Sequence, residues 1–418
     1  GLTLRKFGKE KIMFLYSDDN KRYHTLNYFL REKFGCKTFK ISLDGGFTCP
    51  NRDGKVAKGG CTFCSSKGSG DYAGQRTLSI GTQFDNVKEM MNKKWKEGKY
   101  IAYFQAYTNT YAPVEELRRK YEEAINKEGV VALAIGTRPD CINEEVLDLL
   151  EEMNKKVYTW VELGLQTIHD DTARSFNRGY DLEVFDKAME GLKSRGIDTV
   201  VHCIFGLPGE SKEQMLETVD YVSRCGAQGI KLHLLHLMEG TRMVRDYEEG
   251  RLKFLTQEEY VDLICTAISR IPQNMVIHRL TGDAPRQLLI GPMWSLKKWE
   301  VLNAIDKALE DNDIYINSLA DKLNITIDDA IDLIHKLNLK NSLQKLINEK
   351  IGLGENLDYT LNKAKSLKEE IKDLEEKHLN NKEKINQLNV QLKEFNNVYE
   401  VEKNKFDDLN IEYARLNQ

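Results

Sequence analysis

Six short apolar runs, each followed by a stretch of helical periodicity, constrain this chain more than anything else in it. The runs fall at 39–43, 101–104, 131–135, 159–163, 199–204 and 230–235, and segments such as 144–153, 182–195 and 212–224 carry apolar residues three and four apart. Strand and helix repeated in this way pair the strands in parallel, because each helix carries the chain back across the sheet. Six units predict an α/β fold, a partial TIM barrel of (β/α)6 form. In such barrels the chemistry gathers at the C-terminal ends of the strands and in the loops after them. With 418 residues and 41% hydrophobic content, the chain supports a full catalytic domain and a second, smaller module.

The loop after the first run holds Cys49, Cys61 and Cys64 among glycines at 45, 46, 54, 59 and 60. Three thiolates can hold an iron–sulfur cubane and leave one iron open, and the glycines let backbone fold closely around it. A structural zinc site, a disulfide or unrelated core thiols are the plainer alternatives. Zinc commonly takes paired Cys-x-x-Cys or Cys/His clusters, whereas Cys36, Cys141, Cys203, Cys225 and Cys265 stand singly; His24 or Cys36 remains open as a fourth ligand.

Later strand ends carry polar residues that a buried strand rarely tolerates without a partner. The fourth run contains Glu162 and leads to Gln166, then to Asn177, Arg178 and Gly179. The third leads into Gly136-Thr-Arg-Pro-Asp140, where Arg138 and Asp140 could bind ribose or backbone amides, or Asp140 could cap a helix starting near Asn143. The sixth alternates Lys231 and His233 with leucines, giving one polar face that His236 joins after a kink. Such a strand histidine is read either as a satisfied core residue or as a catalyst.

Taken together, the cysteines, Phe63 before the last of them, and these strand-end blocks resemble the radical S-adenosylmethionine (SAM) superfamily over residues 22–309. The likeness is specifically to the YhcC/YtqA family, related to the radical-SAM half of the Elongator catalytic subunit. The common superfamily motif is Cys-x3-Cys-x2-Cys; here eleven residues separate the first two cysteines, in keeping with this branch's longer loop. The resemblance implies that Cys49, Cys61 and Cys64 hold a [4Fe-4S] cluster whose open iron chelates SAM. It further implies SAM contacts for Gln105, Asp140, Glu162, Gln166 and Arg178, with Gly206 in a Gly-Leu-Pro-Gly turn beside the adenine. Lys231, His233 and Asp283 become substrate-side catalytic candidates, and Arg279 and Arg286 stand beside Asp283 in the closing block. An electron donor such as flavodoxin or ferredoxin is implied, and tRNA is the implied partner.

The implied reaction converts 5-carboxymethylaminomethyl(-2-thio)uridine at the wobble position to its 5-aminomethyl form. Elongator's acetyltransferase half is not among these residues, an argument for a stand-alone radical step. Two other readings are a radical SAM enzyme acting on a protein or small metabolite, and a non-catalytic cluster- or zinc-binding scaffold.

The net charge of −4 gives no global pull on nucleic acid, but residues 1–40 hold ten Lys and Arg against four Asp and Glu, with Tyr23, His24, Tyr28 and Phe34 interleaved. This basic extension reads as a phosphate-contacting surface or as a solvated helical face. Residues 41–311 form the expected catalytic domain, and 312–354 a helix-turn-helix-like module. Asp328, Asp329 and Asp332 on its second helix favour protein contact over phosphate. From 355 to 418 there is no Gly or Pro, and a four-three repeat predicts a coiled coil that self-associates or docks a partner protein. No apolar run approaches membrane-spanning length and no secretory signal is read, so the expectation is a cytoplasmic protein without membrane contact.

Overall fold

A computed structural model describes residues 16–17, 21–68, 70, 73–92 and 98–312. The expected coiled coil, residues 313–354 of the expected helical module and most of residues 1–20 lie outside the described residues. The chain divides into two compact units, Phe29–Ala308 in one and Gly1–Tyr28 with Leu309–Gln418 in the other. In the latter, Tyr16 stacks on His24 with ring centroids 4.7 Å apart.

Helix α1 (Leu26–Phe34) leads into strand β1 (Thr38–Leu43), the one-turn helix α2 (Pro50–Asp53) and α3 (Ile80–Asn92). Then β2 (Lys99–Phe104), α4 (Val114–Ile125), β3 (Val130–Thr137), α5 (Glu144–Lys156) and β4 (Tyr158–Gln166) follow. The chain continues through α6 (Asp170–Ser175), α7 (Leu182–Ser194), β5 (Asp198–Phe205), α8 (Lys212–Arg224) and β6 (Gly229–Leu234). It closes with β7 (Leu237–Met238), α9 (Val244–Glu248), α10 (Gln257–Arg270), β8 (Val276–Arg279), β9 (Leu289–Gly291) and α11 (Lys298–Asp311). Local chemistry marks several starts. Ser211 with Gln214 and Thr256 with Glu259 form reciprocal capping boxes at α8 and α10.

The strands form one parallel sheet in the order β1-β2-β3-β4-β5-β6-β8, while β7 and β9 make a small antiparallel pair. All six expected strands are present, and β8 is a seventh. Its four residues end in His278 and Arg279, so the apolar run is too short to register as a strand by pattern. No helix among the described residues is long and apolar enough to cross a membrane.

Each strand has two faces because successive side chains alternate. Ile41 and Leu43, Ala102 and Phe104, Leu133 and Ile135, Val161 and Leu163, Val201 and Cys203, and Ile230 and Leu232 are fully buried. Those residues share one face, the layer expected beneath crossover helices. The opposite face bends inward. In a flat sheet about three strand spacings of 4.8 Å would separate β1 from β4, yet Lys40 Nζ on β1 lies 3.2 Å from Glu162 Oε1 on β4. That contact requires a curled sheet, a half-barrel. On its concave side β3 offers Val130 at its start and then Ala132, Ala134 and Gly136, small residues opposite Trp160 and Glu162 of β4.

Candidate functional site

Cys49 sits at the start of α2, where its carbonyl accepts hydrogen bonds from the N–H groups of Arg52 at 2.8 Å and Asp53 at 3.2 Å. Pro50 follows it, a position where the missing N–H is no loss. The loop then turns back on itself: the Gly60 N–H donates to the Asn51 carbonyl at 2.7 Å and the Cys64 N–H to the Cys61 carbonyl at 3.0 Å. Gly60 has φ +78°, and a Cβ there would lie 3.0 Å from Arg52 Nε, so both conformation and space call for glycine.

Contacts from other strand ends fix this loop in place. Asn177 Nδ2 donates to the Gly60 carbonyl at 2.8 Å, and Asn51 Nδ2 donates to the Asn177 carbonyl at 2.6 Å. The Thr62 N–H reaches the Phe176 carbonyl at 2.9 Å, and Arg242 donates to the Gly60 carbonyl. Phe63 rests on Phe176, ring centroids 5.2 Å apart, and with Cys61 it lies on a buried apolar cluster that includes Leu207, Leu235 and Met243. None of the three cysteines is joined in a disulfide. Burial and then the neighbouring Cys64 push the Cys61 thiol up to about 12, while Arg138 pulls the other way. Asn51 Nδ2 stands 3.6 Å from Cys61 Sγ.

Among the described residues no three His, Cys, Asp or Glu side chains converge as ligands of a single metal ion. A cubane makes no such demand, since each thiolate takes a separate iron. The donor set therefore fits a cluster: three unoxidised sulfurs on one loop, with buried Arg138 near enough to offset their charge.

The ends of β3 and β4 form the adjoining rim. Arg138 pairs with Asp140 through two bonds of 2.9 and 2.7 Å and donates to the Arg178 carbonyl at 2.9 Å. Asp140 does not cap α5; Asn143 does, its side chain accepting from the Val146 N–H at 3.0 Å. Gln166 ends β4 at φ +65°, a strained position for a non-glycine residue, where the register with β5 also slips. Its amide lies over Gly164, so close that a Cβ on Gly164 would stand 2.6 Å from Gln166 Nε2.

Arg178, a SAM contact by resemblance, is engaged with the protein itself. It is 1% exposed, and its guanidinium donates to the carbonyls of Leu165 at 2.9 Å, Thr167 at 2.6 Å and Tyr180 at 2.9 Å, and to Asp170 at 2.8 Å. It braces the loop that carries Asn177 to the cysteines.

Deeper on the concave face lies a network the sequence revealed only in part. Glu162, fully buried, accepts from Lys40 at 3.2 Å, Tyr103 Oη at 2.7 Å, Trp160 Nε1 at 3.1 Å and His202 Nε2 at 3.0 Å, and also from Lys231. Burial works against its charged form, but Lys231, Lys40 and His202 outweigh it and hold the carboxyl well below the usual range. Lys231 is drawn down to about 7, chiefly by burial and against the field of Glu162. His202 falls to about 4 through burial and then Lys231, and its ring lies 5.1 Å from that of His233. His233 is also held well below its ordinary value, by burial and then His202, and keeps Nε2 buried without a partner.

The remaining expected residues are more scattered. Gln105 follows β2, its N–H donating to the Leu43 carbonyl at 3.3 Å. Gly206 follows β5, its N–H 3.2 Å from Met215 Sδ. Asp283 is exposed, paired with Arg279 at 3.1 Å and Lys298 at 2.7 Å. His236 departs from the polar face and meets Ser295 Oγ at 3.0 Å. Arg286 is exposed. Lys40, Tyr103 and His202 were not singled out from the sequence, although two-residue alternation places each on the inner face of its strand. Asn51 and Arg242 carried no signal beyond lying near glycines, whereas Asn177 stood in the legible Asn177-Arg178-Gly179 block without its own role being apparent.

Two family models match the chain, the Radical SAM superfamily over residues 49–222 and the Radical_SAM C-terminal domain over residues 227–311. The chain is 55% identical to YtqA of Bacillus subtilis over 302 residues, 72% of this chain and 94% of that protein. It is 38% identical to YhcC of Escherichia coli strain K12 over 291 residues, 69% of this chain and 93% of the relative. A tRNA uridine(34) acetyltransferase of Methanocaldococcus infernus is 29% identical over 180 residues, 42% of this chain and 33% of its own length. The solved archaeal Methanocaldococcus infernus Elp3 superposes with a TM-score of 0.51 at 18% identity, covering 66% of this chain and 63% of that one, a likeness of fold.

Proposed function

Since the chain belongs to the radical SAM superfamily, we propose that it is a tRNA-modifying enzyme that converts the 5-carboxymethylaminomethyl(-2-thio)uridine at the wobble position to its 5-aminomethyl form. One observation carries the chemistry: three unoxidised cysteines in the loop after β1, tied to the ends of β4 and its following loop by Asn177 and Thr62. A [4Fe-4S] cluster bound there would supply the electron that cleaves SAM to a hydrogen-abstracting radical; overall SAM would act as the oxidant and, with water, turn the carboxymethylamino group into the free amine and glyoxylate, leaving methionine and 5′-deoxyadenosine.

The chain's own residues hold, orient and shield. Cys49, Cys61 and Cys64 would hold the cluster, and Arg138 lowers the energy of their negative charge. Asp140 and Gln166, on the rim beside the thiols, would face SAM. Arg178 acts at one remove, keeping Asn177 and so the cysteine loop in register. Phe63, Phe176 and the apolar cluster beneath Cys61 exclude water from one side of the thiols. The network around Glu162 lies deeper on the concave face, where the substrate's reacting end would be received.

The choice of substrate draws support from kinship: the relative named for acetylating uridine 34 of tRNA shares 180 aligned residues with this chain. The test is anaerobic incubation of the reconstituted protein with SAM, a reductant and tRNA from cells lacking it, followed by mass spectrometry of the nucleosides. Loss of the carboxymethylaminomethyl nucleoside together with 5′-deoxyadenosine formation is the expected result. If 5′-deoxyadenosine forms while every nucleoside is unchanged, the substrate is something else.

A further inference from the structure

The concave face carries more positive charge than its own carboxylates neutralise. Lys40, Lys231 and Arg279 meet there with Glu162, and Asp283 pairs with Arg279 but is shared with Lys298. On the face itself Lys40, Lys231 and Arg279 thus stand against the one buried carboxylate of Glu162, with Asp283 shared at its edge. Around them His233 Nε2 and His278 Nδ1 are buried with no hydrogen-bond partner. Buried polar atoms are almost always satisfied, so two orphans in one cluster mark a place where a ligand atom belongs. The cluster is also reachable, because the side chains of Lys40, His202 and Arg279 stay 24%, 23% and 35% exposed.

We propose that this floor, Lys40, Lys231 and Arg279 with the imidazoles of His233 and His278, seats the anionic end of the substrate, a carboxylate. Planar carboxylates match the forked donors of an arginine, and an imidazole N–H beside them adds a directed bond. Glu162 holds Lys231 and Lys40 in position for it, and the positive charge of Lys40 and Arg279 bars the seat to cationic groups. The inference rests on the uridine reading above, whose substrate ends in a carboxymethyl group, and it assigns that group's binding site.

The test is isothermal titration of the full chain, reconstituted anaerobically and saturated with SAM. The probes are 5-carboxymethylaminomethyluridine, its carboxamide, uridine 5′-monophosphate and N-methylglycine. The acid should bind at least roughly tenfold more tightly than the amide, the weight of one charge-assisted hydrogen bond. Arg279→Gln should abolish that preference, and Lys40→Gln serves as a second variant if the first does not fold. Equal binding of acid and amide, or no binding of any carboxylate, overturns the seat. Arg279-dependent binding of the monophosphate with none of the carboxylates assigns the site to phosphate and overturns it too. If N-methylglycine binds in an Arg279-dependent way but no nucleoside does, the seat stands and the uridine reading falls.

Discussion

Glu162→Gln tests the centre of the half-barrel. The carboxylate is fully buried and gathers five donors from five strands, two of them lysines. A glutamine keeps the shape but turns one acceptor into a donor and leaves Lys40 and Lys231 without their counter-charge. Removing one partner of a buried ion pair costs about 3–5 kcal/mol. Lys231 already sits at about 7, so it can shed its proton rather than stay charged and unpaired. The lower end of the range, about 3 kcal/mol, is therefore expected. At about 2 °C per kcal/mol for a unit of this size, the thermal midpoint should fall by about 6 °C. Urea unfolding followed by tryptophan fluorescence is the assay, and Trp160, which donates to Glu162, is a local reporter. The double variant Glu162→Gln/Lys231→Met should recover to within about 1.5 kcal/mol of the parent, because it removes the orphaned charge as well. A single-variant cost below about 1 kcal/mol, or a double variant no better than the single, would refute the reasoning.

Replacing Cys49, Cys61 and Cys64 together by Ala should remove bound iron and reductive SAM cleavage, and cleavage that persists would sink the cluster assignment. Acid should destabilise the protein in a definite window: His202 is held down from 6.5 to about 4, so between those values the unfolded chain carries a proton the folded chain lacks, and stability is lost as pH falls through them. The loss amounts to about 3 kcal/mol, and the slope of melting temperature against pH from 6.5 to 4 should flatten in His202→Gln. Arg178→Lys cannot satisfy three carbonyls and Asp170 at once and should cost at least about 2 kcal/mol, read by chemical denaturation, with weaker iron retention as the cysteine loop loosens. Gly164→Ala should push the Gln166 side chain off its resting place and raise the KM for SAM more than it lowers kcat; an unchanged KM would place Gln166 away from SAM.

The sequence by itself determined the strand and helix repeat, because periodicity is a property of neighbours along the chain. It also determined the cysteine loop, whose three sulfurs lie within sixteen residues and whose glycines announce an unusual backbone. Glu162 and Lys231 were visible as polar residues in apolar runs. Their pairing was not, since nothing in one run says which other run faces it. Arg178 shows the same limit: Asn177-Arg178-Gly179 is a legible motif, but only the folded loop reveals that its guanidinium closes on carbonyls rather than on an open site. The strand β8 escaped because four residues are too few to show a period. Lys40 and His278 escaped for a deeper reason. A half-barrel brings strands three apart in the sheet into contact across its concave face, and that curvature is set by how the whole sheet closes, which no local stretch of sequence encodes.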